Sequence, residues 1–238
     1  MPRPFLSARW SNVCLVSYAL APERLAARVP AGVELLTRDG AAFVSLVAFD
    51  FHDTRVLGVP WPGFGDFPEV NLRFYVQRAG EPGVVFLREL VPRRLVAWLA
   101  RTVYNEPYER APMASAVDED EATITATHTV GRGGAAQRLS VTGAKPAFRP
   151  APDSTAHFFK EHHWGFGVDA AGRTRRYLVE HPTWDVYPVT RWDLAWDWGA
   201  TYGPEWADLA RAEPVSVVLA VGSPIRVFPA ALLGEDAP

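Results

Sequence analysis

Residues Glu69 to Gln77 (EVNLRFYVQ) alternate strictly between two kinds of side chain. Val70, Leu72, Phe74 and Val76 fall on one side of an extended chain. Glu69, Asn71, Arg73, Tyr75 and Gln77 fall on the other. A helix would mix the two sets, so the segment reads as a strand with one apolar face. Elsewhere, 21 Pro and 18 Gly in 238 residues cut the chain into short segments, the pattern of a mainly β protein with a few short helices.

Strands are expected at Val13–Tyr18, Phe43–Phe51, Gly83–Arg88, Val215–Val221 and Ile225–Phe228. Phe43–Phe51 is almost continuously apolar, as in a strand buried on both faces. Hairpins are expected from Ala122–Val130 with Ala136–Gly143, and from His163–Val168 with Thr174–His181. Helices are expected at Pro22–Val29, at Pro92–Tyr104, and from Asp153 or Ser154 into Phe159. A Pro/Gly/aromatic loop fills Gly58–Pro68. No repeat or composition shift marks a boundary, so residues 1–238 read as a single domain.

A net charge of −3 argues against nucleic-acid binding, which rests on clustered Lys and Arg. No signal peptide and no apolar run of membrane-spanning length occurs, so the chain reads as soluble and cytoplasmic. The single cysteine, Cys14, excludes an intramolecular disulfide and a thiolate zinc cage, and reads as a small buried hydrophobe. Glycine-rich phosphate loops, the GxSxG nucleophile elbow and HExxH are all absent. No cofactor and no metal site is expected.

Three clusters carry chemistry. In an open sheet the polar side of Glu69–Gln77 faces water; in a closed barrel it lines a cavity. Inside a cavity, Arg73 with Asn71 and Tyr75 would hold a carboxylate or carbonyl, and Glu69 would serve as acceptor or general acid/base. Arg101, Tyr104, Glu106 and Tyr108 gather where the second helix ends at Pro107, a place where basic residues also collect for dipole reasons alone. The hairpin brings Glu161, His162, His163 and Trp164 near Glu180, His181 and Trp184. A turn closed by Val168 opposite Arg173 would set Trp164 against Tyr177, with His181 on the same face; a one-residue slip would reverse every side chain.

The segments PEVNLRFYVQ, GVVFLREL, ARTVYNEPYERAPM and FFKEHHWGFGVDAAGRTRRYLVEHPTWDVYPV, in this order, resemble the YqjF-like family, domain of unknown function 2071. The resemblance runs from Trp10 to Phe228. It implies an acetoacetate decarboxylase-like fold: an antiparallel, barrel-like sheet around a central cavity, which would turn the polar side of the Glu69 strand inward. It also implies a homo-oligomer, without identifying an interface. The decarboxylases use a strand glutamate, matched here by Glu69, and a lysine that forms a Schiff base with a keto acid. The matching segment, Tyr104 to Arg110, has no lysine. Lys145 and Lys160 are the two lysines of the chain and stand elsewhere, and arginine does not replace lysine as a nucleophile.

Schiff-base decarboxylation is therefore not expected. One reading is a lyase, isomerase or hydrolase on a small carboxylate or carbonyl compound, with Glu69, Tyr108 and His181 catalytic and with Asn71, Arg73, Tyr75, Arg101, Tyr104, Trp164 and Trp184 around the ligand. A second is a non-catalytic barrel that binds a small ligand. A third is a structural or interaction role, in which Glu69 and Arg73 pair with each other.

Overall fold

A computed structural model describes residues 3–60, 65–93, 107–132 and 135–234. Among these, the long strands are β1 (Leu6–Leu20), β3 (Ala42–Val56), β5 (Phe67–Arg78), β6 (Glu81–Val91) and β15 (Ser216–Val227), with short strands β2 (Glu34–Leu35) and β4 (Val59–Pro60) beside them. Also present are β7 (Tyr108–Arg110), β8 (Met113–Glu119), β9 (Thr123–Arg132), β10 (Ala135–Ala144), β11 (Trp164–Val168) and β12 (Thr174–Glu180). Short β13 (Val186–Tyr187), β14 (Val189–Ala195) and β16 (Ala231–Leu232) complete the set.

The order β15-β1-β3-β5-β6-β11-β12 returns to its start, because Val179 and Glu180 of β12 pair with Val227 and Arg226 of β15. The sheet is thus barrel-like. Its pairs are antiparallel except where β11 meets β6 and β7 meets β6. A second sheet, β14-β10-β9-β8, covers one outer flank.

This arrangement explains the alternation in β5. Val70, Leu72, Phe74 and Val76 face outward into a core shared with Ile124, Leu139 and Val141 of the second sheet and with Trp198. The opposite face turns inward, where Tyr75 joins Leu15, Val47, Phe49 and Phe159 in a separate inner core. β3 lies between these cores, so Ala42 to Asp50 are buried on both faces, as the apolar run predicts. Cys14 is wholly buried, and burial pushes its thiol up, away from reactivity.

The helix Thr155–Lys160 plugs the inner core with Phe159, and Ser154 caps it by accepting the His157 N–H at 3.2 Å. The expected helix at Pro22 is a single turn, Glu23–Ala26. The helix expected at Pro92–Tyr104 lies outside the described residues beyond Arg93. The two final strands merge into β15, which Gly222 bends at φ +81° without ending it. Strands β8 and β14 carry no apolar alternation (MASAVDE, VTRWDLA) and are mostly exposed, so their sequences give no strand signal. Among the described residues no helix is long and apolar enough to cross a membrane.

The β11–β12 hairpin departs from the expected register by one residue. Val168 faces Thr174, Gly165 faces Tyr177, and Trp164 faces Leu178. Gly165 permits this pairing: a β-carbon there would lie 2.2 Å from Cζ of Tyr177, so only a glycine lets the tyrosine ring cross it without displacement.

Candidate functional site

Inside the barrel-like sheet lies a cavity of about 130 Å³. An engineered cavity of about 150 Å³ holds benzene, so this one suits a ligand of roughly six heavy atoms. One wall is aromatic: Trp10, Phe49, Phe51, Phe67, Phe86 and Trp184 line it. Trp10 packs 4.8 Å from Phe49 and 6.0 Å from Trp184, ring centre to ring centre, and the Trp184 indole N–H donates to Ser223 Oγ at 2.8 Å. The polar wall holds Glu69, Asn71, Arg73, Glu89, Tyr108 and Tyr177.

Strand register assembles this wall. Asn71 on β5 sits opposite Glu89 on β6, and Glu89 sits opposite Tyr108 on β7, forming one row across three strands. Glu69 projects two residues before Asn71 on the same face. Asn71 Nδ2 donates to Glu69 Oε1 at 3.0 Å, and the Tyr108 hydroxyl donates to Glu69 Oε2 at 3.0 Å. The Glu69–Arg73 pair that the third, structural reading requires does not form: among the described residues, neither takes part in an ion pair within 4.0 Å. Arg73 Nη2 donates to the Phe159 carbonyl at 3.0 Å, while its buried Nε has no hydrogen-bond partner among the described residues.

Burial pushes the Glu69 carboxyl up to about 7, against the downward pull of the hydrogen bonds from Asn71 and Tyr108. A carboxyl so placed exchanges a proton near neutral pH. Burial also raises the Tyr108 phenol, and the neighbouring Glu69, Glu89 and Tyr177 raise it further, so Tyr108 remains a proton donor to the carboxylates. Burial holds His162 down at about 3, assisted by the charge of Arg73, so the imidazole beside the guanidinium is neutral.

Of the residues singled out from sequence, Glu69, Asn71, Arg73, Tyr108 and Trp184 come together around the cavity. Three do not. Tyr75 points inward but bonds Ser45 and the Phe159 carbonyl beneath the helix, away from the cavity lining. The shifted hairpin register turns Trp164 to the outer core, where Arg176 lies 4.9 Å from its ring centre. His181 lies behind Trp184, stacked on it at 4.4 Å, outside the lining. Arg101 and Tyr104 lie outside the described residues.

Glu89, Tyr177 and Trp10 line the cavity without having been read from the sequence. Between β5 and β6 the register shifts at Leu72/Arg73: Leu72 faces Arg88, Arg73 faces Phe86, and Leu87 is extra. Simple alternation puts Phe86 and Glu89 on opposite faces, and the bulge brings both inside. An acidic residue within the apolar run VVFLRELV was the available signal for Glu89. Gly165 gives a direct test of the tyrosine wall. Gly165→Ala is expected to push Tyr177 out of place and cost about 1–3 kcal/mol by overpacking, checked by urea unfolding, with a matching drop in cavity-ligand affinity.

Comparison with known proteins agrees with this architecture. The family model DUF2071, described as an uncharacterized conserved protein, matches residues 7–224. The chain belongs to this family. A relative, the uncharacterized protein YqjF of Bacillus subtilis (strain 168), is 36% identical over 112 residues. That match spans 47% of this chain and 46% of YqjF, less than half of the relative's length.

Solved structures share the fold. An acetoacetate decarboxylase-like enzyme from Sphingomonas wittichii RW1 aligns at a TM-score of 0.67 and 15% identity, over 96% of this chain and 92% of that one. The acetoacetate decarboxylase of Legionella pneumophila aligns at 0.63 and 14% identity, over 96% and 87%. The enduracididine biosynthesis enzyme MppR, complexed with pyruvate, aligns at 0.64 and 14% identity, over 99% and 92%. This DUF2071 chain therefore has a mainly β, acetoacetate decarboxylase-like fold.

Proposed function

We propose that the cavity binds a small organic acid or carbonyl compound and that Glu69 exchanges a proton with it. The observation that carries this reading is the Glu69 carboxyl, buried at the cavity wall between Asn71 and Tyr108, where burial pushes it up to about 7. Arg73 supplies the anchor. A guanidinium at the wall, with no carboxylate of the described residues within ion-pair distance, leaves an anion site for the ligand carboxylate. Once Glu69 has taken the proton, the Tyr108 hydroxyl, which donates to Glu69 Oε2 in the resting site, is free to turn toward the oxygen on which negative charge develops. Pyruvate bound to MppR in the same fold supports a small oxo acid as the ligand class.

Schiff-base chemistry has no support. Lys145 pairs with Glu119 at 2.6 Å on the second sheet, and Lys160 is buried against Glu161 at the end of the Thr155–Lys160 helix. Neither lines the cavity. The chemistry this reading takes is acid–base: enolisation, isomerisation or hydration.

The aromatic wall favours a second reading, a non-catalytic binder of a small ligand, and one experiment separates the two. Pyruvate and a panel of short 2-oxo and 3-oxo acids are incubated with the chain in D2O. Exchange of protons next to the carbonyl is followed by NMR and ligand binding by thermal shift. The expected result is stabilisation with catalysed exchange that rises through about pH 7, as Glu69 ionises. Glu69→Gln should lose exchange by about 100-fold or more and keep stabilisation. Stabilisation without exchange would favour the binder. If no acid of the panel stabilises the chain, both readings fail.

A further inference from the structure

We propose that Glu161, His163 and His181 form a site for a divalent transition-metal ion of the zinc, cobalt or nickel type, placed behind the cavity wall. Three elements converge there. Glu161 follows the Thr155–Lys160 helix, His163 immediately precedes β11, and His181 immediately follows β12. The hairpin register brings the last two together, and the Val179 N–H donates to the His163 carbonyl at 2.7 Å. One ligand atom from each of the three residues lies within 4.8 Å of the others. The two imidazoles stack at 4.4 Å between ring centres.

The surroundings prepare the donors. His163 Nδ1 lies 3.1 Å from the Val179 carbonyl, and a carbonyl accepts only from an N–H, so Nε2 keeps its lone pair. The Glu161 carboxylate is spoken for on one oxygen. Lys160 and the Trp184 backbone N–H, at 3.0 Å, both donate to Oε1. Oε2 faces His181, 3.9 Å from its Nδ1; that Nδ1 also lies 3.0 Å from the Pro182 carbonyl, so on His181 as on His163 it is Nε2 that keeps the lone pair. The side chains of Glu161 and His181 are buried and His163 is exposed, so the donor set opens to solvent on the His163 side, where an ion enters and keeps water. Two imidazoles, one carboxylate and open positions suit a borderline ion. Calcium takes six to eight oxygens and magnesium an octahedral oxygen set, which this cluster lacks.

Trp184 gives the ion a consequence. Its ring lines the cavity, stacks on His181 at 4.4 Å, and its backbone bonds the Glu161 ligand. An ion joining the three residues would tie this wall to the helix that seats Arg73 through Phe159. The inference does not rest on proton exchange by Glu69.

The test uses the untagged full chain, stripped with a chelator and titrated with Co2+ by visible absorption and with Zn2+ by calorimetry. Wild type and Glu69→Gln are expected to bind either ion at a single site, with the visible bands of nitrogen-ligated cobalt, and to ignore Mg2+ and Ca2+. His163→Ala alters an exposed side chain, so the fold is retained, and His181→Gln keeps a polar group in place. Each is expected to weaken binding by about 100-fold or more. Absence of a stoichiometric site in wild type, or a His163→Ala chain that binds as wild type does, would overturn the proposal.

Discussion

Glu69→Gln is expected to stabilise the folded chain above neutral pH and to change it little in acid. The wild-type carboxyl has its ordinary value of 4.5 in the unfolded chain and about 7 in the fold. A raised carboxyl binds its proton more tightly when folded. Stability is therefore full below the unfolded value, falls between about pH 4.5 and 7, and stays reduced above. The separation corresponds to about 3 kcal/mol. Glutamine does not titrate, keeps the bond from Asn71, and lets the Tyr108 hydroxyl turn to accept from its amide. The wild-type minus variant difference in urea unfolding should shift by about 2 kcal/mol from pH 5 to pH 8. Comparing the two chains cancels the titrating groups that do not interact with Glu69. An equal difference at both pH values would place the carboxyl in the ordinary range and remove the basis for proton exchange near neutrality.

Phe159→Ala should cost about 3–5 kcal/mol and also weaken binding of carboxylates. The ring is 1% exposed and packs 5.2 Å from Phe43, 5.0 Å from Phe158 and 5.5 Å from Tyr75. Removing it empties the seat of the Thr155–Lys160 helix inside the inner core. The Phe159 carbonyl accepts both Arg73 Nη2 and the Tyr75 hydroxyl, at 3.0 and 3.3 Å, so a shifted helix releases the guanidinium. Denaturant unfolding reports the first effect and acid titration by thermal shift the second. Val117→Ala, on strand β8, removes apolar volume from a residue that is 44% exposed and should stay within about 0.5 kcal/mol. Similar losses at the two positions would contradict the assignment of Phe159 to the inner core.

The alternation of Glu69–Gln77 and the continuous apolar run of Phe43–Phe51 are legible because side-chain period follows strand geometry and needs no partner. Both segments behave as their patterns predict. Strands β8 and β14 are invisible for the opposite reason. Their backbones pair with β9 and β10, but their side chains meet mostly water, so pairing leaves no mark on residue choice.

Cavity membership divides along the same line. Glu69, Asn71 and Arg73 share a face by periodicity alone. Whether that face meets water or a cavity depends on β12 pairing with β15 to complete the ring. Glu89 enters because one extra residue, Leu87, reverses the alternation in β6. Tyr177 enters, and Trp164 leaves, because Gly165 accepts the tyrosine ring and draws the hairpin one residue from its simplest closure.

The sequence by itself determined the β class, the polar face of β5 and that Lys145 and Lys160 are the two lysines of the chain. The fold alone decided which polar groups meet: the Asn71–Glu89–Tyr108 row, the raised Glu69 carboxyl, and which members of the hairpin's His/Glu cluster converge, namely Glu161, His163 and His181. The physical reason is that period is a local property of a strand. Register, bulges and closure are set by contacts between segments far apart in the chain, where a one-residue shift moves each side chain to the opposite face.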